Sequence, residues 1–258
     1  MSERNVVVRM RDVHKSFSGV SILAGLSFEL ERGKCLGIMG GSGTGKSVAL
    51  RHVIGLMKPD SGVVEVAGDD LAALDRKGLA AMRRRMGYVF QEGALINWLT
   101  VAENLALPLK ENTKLSPSEI DQKVQEKLAL VRIPDAGAKY PTEISGGMKK
   151  RVGIARALIT DPALILYDEP NAGLDPEISR SINRLMRDVS EELGVSSLVV
   201  EHRVDCLRTV ADEVLFLYKG QALVHEPTES FFRPKNTRLR EFLGVDAADA
   251  PSPDQASS

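Results

Sequence analysis

The sequence predicts an α/β fold with a largely parallel core sheet. Short apolar runs of the kind found in buried strands alternate along the chain with segments whose apolar residues recur at helical spacing. The expected strands lie at residues 6–10, 27–30, 35–39, 63–66, 87–90, 164–167, 197–200 and 214–218. Alternation of strands and helices is typical of domains in which helices pack against a parallel sheet.

Helical periodicity is clearest in residues 177–193. There Ile178, Ile182 and Leu185 recur at intervals of three and four residues, which places them on one face of a helix. A second helix is expected over about residues 46–56, directly after the third strand run. Each helix would cover the sheet with its apolar side.

Residues from about 92 to 160 carry little strand signal and predict a helical insertion. Within them, residues 117–131 place Ile120 and Val124 on one helical face. Ser116 precedes this segment and is suited to cap the N-terminus of the helix.

The pattern predicts one domain over residues 1–244. Its core is expected at residues 1–91 and 160–235, with the helical subdomain inserted at about 92–159. Residues 245–258 are rich in Ala, Asp, Pro and Ser, and we expect them to form a disordered tail.

Composition narrows the class of protein. The chain has 258 residues, 43% of them hydrophobic, and its 34 Lys and Arg against 35 Asp and Glu give a net charge of −1, which is ordinary for a globular domain. Near-neutral charge argues against a dedicated nucleic-acid binder, so we expect no nucleic-acid partner. Cys35 and Cys206 lack metal-ligand or redox spacing and are expected to be buried thiols in a reducing compartment.

The same sequence carries no signal for entry into a membrane. Charged residues begin too early at the N-terminus for a signal peptide. No run approaches the roughly 18 apolar residues that a membrane span needs. We therefore expect any role at a membrane to act through a partner.

Residues 40–47, with the sequence GGSGTGKS, predict a phosphate-binding loop. They follow an apolar strand and open a helix, so that backbone N–H groups and the helix N-terminus can surround phosphate oxygens. Lys46 could reach the β and γ phosphates, and Ser47 could bind Mg²⁺. The alternative is a chance glycine-rich turn, which would not require the flanking strand and helix.

Two carboxylates end the strand run at residues 164–167. Asp168 is suited to a Mg²⁺-bound water beside Ser47, and Glu169 to a general base that activates a water molecule. The alternative is an acidic turn before Pro170. Paired with the phosphate loop, the carboxylates indicate nucleotide hydrolysis.

His202 follows the strand run at residues 197–200. A polar residue at the carboxyl end of a parallel strand faces the crevice in which such sheets bind ligands. We expect His202 to contact the γ phosphate. The alternative is a structural or surface histidine without a ligand.

A second anion site is predicted where Ser145, Gly146 and Gly147 precede a helix at residues 149–159. One chain then has two phosphate-binding devices but one pair of catalytic carboxylates. A two-fold dimer solves this mismatch, because each Ser145 loop can close over the nucleotide held by residues 40–47 of the other chain. The alternative is an ordinary helix-start turn.

Together these residues resemble the ABC transporter ATPases over nearly the whole chain. The matching motifs are Walker A at residues 40–47, the Q-loop Gln91, the signature residues 145–148 with Met148 where glutamine is commoner, Walker B Asp168 with the catalytic Glu169, the D-loop at 172–175, and the H-loop His202. The resemblance implies a P-loop fold with an N-terminal antiparallel β part and an inserted helical subdomain. It implies ATP and Mg²⁺ as cofactors.

The resemblance also implies individual roles. Catalysis would involve Glu169, His202 and Gln91, and Mg²⁺ would be held by Ser47, Gln91 and Asp168. The expected nucleotide contacts are Phe17, which would stack on adenine, with Gly40, Gly41, Ser42, Gly43, Thr44, Gly45, Lys46, Ser47, Val48, Ser145, Gly146, Gly147 and Asp175. The alternative for Phe17 is a place in the core.

Within this family, three details of the sequence make the chain resemble a narrower group, the ATPases of Mla/MCE-type phospholipid and organic-solvent transport systems. They are residues 93–95 and 97–109 after Gln91, the signature SGGMKKR, and the continuation through residues 156–158. Such a subunit works as a homodimer at the cytoplasmic face of the inner membrane. Its partners are a permease, an MCE-domain protein and, often, a STAS-domain protein.

Three alternatives to lipid transport stay open. They are the ATPase of an amino-acid or ion importer, a soluble ABC protein of translation or DNA repair, and a nucleotide-gated scaffold. Two departures from the family pattern are Asn171, where Thr or Ser is usual, and Glu201 and Arg203 on either side of His202.

A permease would be expected to bind near the apolar residues that follow Gln91. These are Ala94, Leu95, Ile96, Trp98 and Leu99. The alternative is that they belong to the core of the helical insertion. The pattern favours neither interpretation except at Trp98. The polar neighbour Asn97 favours exposure of that side chain.

Overall fold

The computed structural model describes residues 5–245. The α/β fold predicted from the sequence is confirmed. The expected tail lies, except for its first residue, outside the described residues.

Strands lie on both sides of the helical region in the middle of the described chain. In chain order they are β1 (Val6–Phe17), β2 (Val20–Glu31), β3 (Cys35–Met39), β4 (Ser61–Val66), β5 (Asp69–Asp70), β6 (Met86–Val89), β7 (Leu164–Asp168), β8 (Ser196–Val200), β9 (Glu213–Tyr218) and β10 (Gln221–Pro227). They form a four-stranded sheet with the order β2-β1-β4-β5 and a six-stranded sheet with the order β10-β9-β3-β8-β7-β6. All pairs in the smaller sheet are antiparallel.

The larger sheet determines where the candidate site lies. Strands β9, β3, β8, β7 and β6 are mutually parallel, and only the edge strand β10 is antiparallel to its neighbour. Since β3, β8 and β7 are adjacent, their carboxyl ends meet at one edge. The segments that follow these three strands are the ones in which the sequence places phosphate-binding and catalytic residues.

Helices cover the larger sheet and fill the region between β6 and β7. They are α1 (Lys46–Val53), α2 (Arg76–Arg83), α3 (Val101–Asn112), α4 (Pro117–Leu130), α5 (Gly146–Leu158), α6 (Pro176–Leu193), α7 (Val204–Val210), α8 (Thr228–Phe231) and α9 (Thr237–Leu243). Helices α3, α4 and α5 pack against one another. Ser116 caps α4 as predicted, and its hydroxyl accepts a hydrogen bond from the Glu119 backbone.

The core has two parts, one on each face of the larger sheet. Successive residues of β3 alternate between them, because Leu36 and Ile38 pack towards the smaller sheet while Cys35 and Met39 pack towards the helices. Cys35 and Cys206 are buried free thiols, as predicted. Burial raises the pKa of both, which keeps them protonated.

The sequence misplaced several boundaries. The first helix ends at Val53, not near residue 56, because Gly55 turns the chain with a φ of 68°. β1 and β2 extend well beyond the expected residues 6–10 and 27–30. Arg11 explains part of this difference, since it ends the apolar pattern of β1 but pairs with Glu65 on the neighbouring strand β4. The edge strand β10 was missed because its residues are exposed and half-buried in alternation.

No helix within residues 5–245 combines the length and the apolar character required to cross a membrane.

Candidate active site

The phosphate loop connects β3 to α1, and glycine is required at two of its positions. Gly45 has a φ of 104°, a left-handed conformation that side chains disfavour. At Gly40 an added Cβ would lie 2.5 Å from the carbonyl oxygen of Leu217 on β9. The backbone therefore bends tightly into the N-terminus of α1, as phosphate binding requires.

Lys46, the first residue of α1, holds its ammonium group over this loop. Nζ donates hydrogen bonds of 2.9 Å to the carbonyl oxygens of Gly40 and Gly41. Burial lowers the pKa of Lys46, and the nearby Glu169 and Asp168 act in the opposite direction. The ammonium is thus placed where it could meet anionic phosphate oxygens.

The end of β7 brings an acidic group to the start of α1. The Ser47 hydroxyl donates a hydrogen bond of 3.2 Å to Asp168 Oδ1, and the Tyr88 hydroxyl on β6 donates one of 2.9 Å to Asp168 Oδ2. Burial, and secondarily the Asp168 charge, raises the pKa of Tyr88, so its proton stays in place to be donated. Tyr88 was missed by the sequence analysis, although it lies in a predicted strand.

The oxygen donors Ser47 and Asp168 fit Mg²⁺, which prefers hydroxyl, carboxylate and phosphate oxygens. Within residues 5–245, no group of three or more His, Cys, Asp or Glu side chains could hold a metal ion by itself. A site of this composition requires phosphate oxygens or water to complete the coordination. That is the usual form of a magnesium–nucleotide site.

Glu169 and His202 meet at the same edge of the sheet. The Glu169 backbone N–H donates a hydrogen bond to Val200 at the end of β8, and Glu169 has a φ of 46°. A positive φ in a residue other than glycine costs about 1–3 kcal/mol and is concentrated at functional sites. His202 Nδ1 lies 3.8 Å from Glu169 Oε1, and the imidazole is 55% exposed.

Phe17 ends β1 and is 43% exposed. The ammonium of Lys15 lies 5.7 Å from the centre of its ring. The alternative that Phe17 belongs to the core is therefore wrong. Its aromatic ring remains accessible to a flat ligand.

The segment that begins at exposed Gln91 is held against the helical region. Buried Lys150 donates a hydrogen bond to the Gln91 carbonyl oxygen, and Arg156 donates to the carbonyl oxygens of Gly93 and Ala94 at 2.9 and 2.7 Å. Both donors lie on α5. Helix α5, which starts with the signature glycines, is thus linked by hydrogen bonds to the segment that begins at Gln91.

Ser145 and Asp175 each cap the start of a helix. The Ser145 hydroxyl accepts a hydrogen bond from the Met148 backbone at the start of α5, and Asp175 accepts two at the start of α6. Ser145 and Gly146 are exposed, whereas Gly147 is buried against Ile178. Ser145 lies with the helices α3 to α5, while the phosphate loop lies at the end of β3.

An open groove of about 470 Å³ lies between β6 and α3, beside the Gln91 segment. Its lining includes Tyr88, Phe90, Ala94, Ile96 and Leu107. The sequence left open whether the apolar residues after Gln91 form a permease-binding surface or part of the helical core, and the structure divides them between exposed and packed positions. Ala94 and Ile96 line the groove, Leu95 packs against the helical core, Leu99 is half-buried, and Trp98 is 80% exposed.

Comparison with known proteins identifies the family. A family profile described as "ABC transporter" matches residues 23–172. The methionine import ATP-binding protein MetN of Brucella abortus is 39% identical over 247 residues, which are 95% of this chain and 67% of that protein. The probable ribonucleotide transport ATP-binding protein mkl of Mycobacterium leprae is 37% identical over 238 residues, 92% of this chain and 69% of that protein.

Solved structures of ABC transporter ATPases have a fold similar to that of this chain. The ATP-binding cassette MJ0796, a dimer bound to ADP and phosphate, superposes with a TM-score of 0.78 at 31% identity, covering 86% of this chain and 98% of that one. The cbiO1 protein of Clostridium perfringens gives a TM-score of 0.83 at 28% identity, covering 93% of this chain and 96% of that one.

The profile match extends over more than half of the chain, and the structural neighbours share nearly all of its fold. The named relatives concern methionine and ribonucleotide transport, so the narrower resemblance to Mla/MCE-type ATPases depends on sequence details alone. Cassettes of this type dimerise and work with a membrane permease. The chain belongs to the ABC transporter family, as an ATP-binding subunit with ATPase activity.

Proposed function

We propose that the chain hydrolyses ATP to drive phospholipid transport through a separate permease at the cytoplasmic face of the inner membrane. The sequence details of the narrower resemblance support the lipid assignment, and the segments that carry them are in contact. Lys150, from the signature SGGMKKR, and Arg156 both donate hydrogen bonds to the segment that begins at Gln91. The two segments therefore form one unit, next to the groove where a permease would bind. An MCE-domain protein and a STAS-domain protein are the expected further partners.

A second candidate is import of a small molecule such as an amino acid. The 39% identity to a methionine import ATPase favours it. The two candidates share the ATPase chemistry and differ only in the partner subunits, because the substrate is bound outside the ATPase.

In the proposed mechanism, the phosphate loop and Lys46 bind the ATP phosphates, while Phe17 stacks on the adenine. Ser47 and Asp168, with Gln91, would hold Mg²⁺, which when bound neutralises phosphate charge. Glu169 accepts a proton from the attacking water on its carboxylate. His202 contacts the γ phosphate.

The dimer would complete each site. We propose that Ser145, Gly146 and Gly147 at the start of α5 approach the phosphates held by the other chain, with Asp175 at the same interface. The exposed serine and glycine and the N-terminus of a 13-residue helix suit this role. Closure of the dimer on ATP would move both grooves together.

Replacing Trp98 by alanine should weaken binding of the permease. Trp98 follows the groove residue Ile96 by two positions. An exposed tryptophan is the kind of residue that dominates an interface, where its loss costs about 2 kcal/mol or more, roughly 30-fold in affinity. The measurement is recovery of the permease with the tagged chain from native membranes, with bound subunits identified by mass spectrometry. ATPase activity of the isolated chain should be unchanged.

Leu193→Ala, which removes another exposed apolar side chain, is the matched control and should leave recovery intact. The identity of the co-purified subunits separates the two functions. An MCE-domain protein supports lipid transport, whereas a soluble amino-acid-binding protein supports import. Full recovery of the permease with Trp98→Ala would remove Trp98 from the interface.

Tyr88→Phe should weaken metal binding about tenfold, which is typical when a partner of a metal ligand is lost. The change deletes only the hydroxyl that fixes Asp168 Oδ2. Metal affinity would be measured with Mn²⁺ by electron paramagnetic resonance in the presence of ATP. Tyr140→Phe, at an exposed tyrosine elsewhere, is the control. Equal Mn²⁺ affinity in Tyr88→Phe and the parent would contradict the prediction.

A further inference from the structure

Glu201 is a wholly buried carboxylate next to the site histidine. Its exposure is 0%, and it is the only buried acidic residue within residues 5–245. A buried carboxylate is costly unless charged and hydrogen-bonding partners compensate it. Glu201 stands at one of the two sequence departures described above, directly before His202.

One carboxylate oxygen of Glu201 holds the turn that carries the histidine. Oε1 accepts hydrogen bonds from the backbone N–H groups of His202 at 2.9 Å and of Arg203 at 3.3 Å. The same oxygen lies 3.4 Å from His202 Nδ1. Both the backbone and the ring of His202 are therefore placed relative to this carboxylate.

The other carboxylate oxygen of Glu201 contacts Asn171, the second residue that departs from the family pattern. Oε2 accepts a hydrogen bond of 3.4 Å from the buried amide of Asn171, which also donates one of 2.7 Å to buried Asn183 on α6. Asn171 follows Glu169 by two residues. The network consequently joins three pieces of the molecule, which are the segment after Glu169, helix α6 and the end of β8.

Stability does not explain this network. Asn183 Nδ2 is buried without a hydrogen-bond acceptor among residues 5–245, and such a group costs about 1–3 kcal/mol. Apolar side chains of similar size would avoid both this cost and the buried charge. A role in the site accounts better for the network.

Two buried lysines face the charge of Glu201. Burial lowers the pKa of Lys46 and Lys150, and the field of Glu201 counteracts this for both. Lys46 belongs to the phosphate loop, and Lys150 holds the Gln91 carbonyl. The Glu201 carboxylate therefore favours the charged forms of two lysines that belong to the site.

His202 Nδ1 lies between two carboxylates, at 3.4 Å from Glu201 Oε1 and 3.8 Å from Glu169 Oε1. Both distances are longer than that of a good hydrogen bond, and a small rotation of the imidazole would direct a proton on Nδ1 towards one carboxylate or the other. If it went to Glu169, it would occupy an oxygen that the proposed mechanism needs for the attacking water. If it goes to Glu201, Nε2 on the opposite side of the ring stays available to the phosphate.

We propose that Glu201 is a positioning residue that accepts the Nδ1 proton of His202 in a hydrogen bond and so leaves Glu169 free. Asn171 holds the carboxylate in the required orientation through Oε2. The inference rests on the roles proposed for Glu169 and His202. It explains why the two departures from the family pattern occur together, since their side chains are in contact.

Glu201→Gln tests the inference with little change of shape. The amide oxygen can still accept the two backbone hydrogen bonds, while the charge that attracts Nδ1–H is lost. We expect kcat for ATP hydrolysis to fall about tenfold, the difference between a charged and a neutral hydrogen bond, with KM for ATP unchanged. NMR of protein labelled at the histidine nitrogens should show a shifted Nδ1 signal for His202 alone among the four histidines.

Glu213→Gln is the matched control, because Glu213 Oε2 pairs with His225 Nε2 at 2.9 Å on β9 and β10, outside the site. It should move the His225 signal and leave kcat at the parental value. If Glu201→Gln does not fold, Asn171→Ser replaces it, and we expect a smaller loss of kcat with the same movement of the His202 signal.

Parental kcat in Glu201→Gln, or a lowered kcat with an unmoved Nδ1 signal, would overturn the role of Glu201. His202→Ala distinguishes this failure from failure of the proposed mechanism. An inactive His202→Ala beside a fully active Glu201→Gln refutes only the positioning role. A fully active His202→Ala refutes the role of the histidine, and the inference about Glu201 with it.

Discussion

Replacing Glu169 by glutamine should lower the rate of ATP hydrolysis about 100-fold or more while ATP still binds. Glutamine keeps the shape of the side chain and removes its ability to accept a proton from water. The phosphate loop, Lys46 and the Ser47–Asp168 pair are untouched, so affinity for ATP should be unchanged. Since hydrolysis is what would reopen the dimer, the variant should also remain dimeric with ATP bound.

Three measurements check this expectation. They are steady-state phosphate release, calorimetry of ATP binding, and size-exclusion chromatography with ATP and Mg²⁺. Glu192→Gln, at an exposed glutamate near the end of α6, controls for the loss of one negative charge and should behave like the parent. Turnover of Glu169→Gln at the parental rate would exclude Glu169 as the base.

The backbone of Glu169 supports the same conclusion. A φ of 46° is strained for glutamate, and the residue is fixed there by its N–H hydrogen bond to Val200. The carboxylate is thereby aimed along the edge where His202 and Asp168 also lie.

Local sequence patterns predicted the parts of the site that are local in the chain. The phosphate loop requires glycines and a lysine within eight consecutive residues, and Asp168 and Glu169 directly follow an apolar strand. Both patterns arise from short-range geometry, in which a strand ends and the chain turns to expose backbone or side-chain groups. The sequence alone is therefore sufficient to find them.

Contacts between distant segments could not be predicted in the same way. Tyr88 meets Asp168 across 80 positions of sequence, and Asn171 meets Glu201 across 30. Each contact depends on the order of strands in the sheet and on side-chain direction, which residue spacing does not encode. The length of β1 was likewise hidden, because Arg11, just beyond the expected end of the strand, is paired with Glu65 on β4.

Mixing two inactive variants should restore ATPase activity if the dimer is assembled as proposed. Ser145→Arg blocks the signature end of α5 and leaves the chain's own phosphate loop intact. Lys46→Ala removes the ammonium that faces the β and γ phosphates, so this chain should lose tight ATP binding while keeping a normal signature. Each homodimer then has two defective sites.

The heterodimer of the two variants differs from both homodimers because one of its two sites is intact. Its Ser145→Arg chain binds ATP with a normal phosphate loop, and that nucleotide faces the normal Ser145 of the Lys46→Ala chain. The second site carries both defects. With random pairing and independent sites, about one quarter of the parental activity should return, because half of the dimers are mixed and each has one whole site.

If each signature instead served its own chain, no mixture could regain activity, since every chain would carry its own defect. Cross-linking separates this outcome from a requirement for two working sites. Ser42 and Ser145 are both exposed, and the native thiols Cys35 and Cys206 are buried, so cysteines introduced at the two serines would react selectively. A disulfide between chains, formed in the presence of ATP, supports assembly across the dimer. A disulfide found only within one chain refutes it, and would require the helical region to fold back over its own sheet and cover the groove beside Gln91.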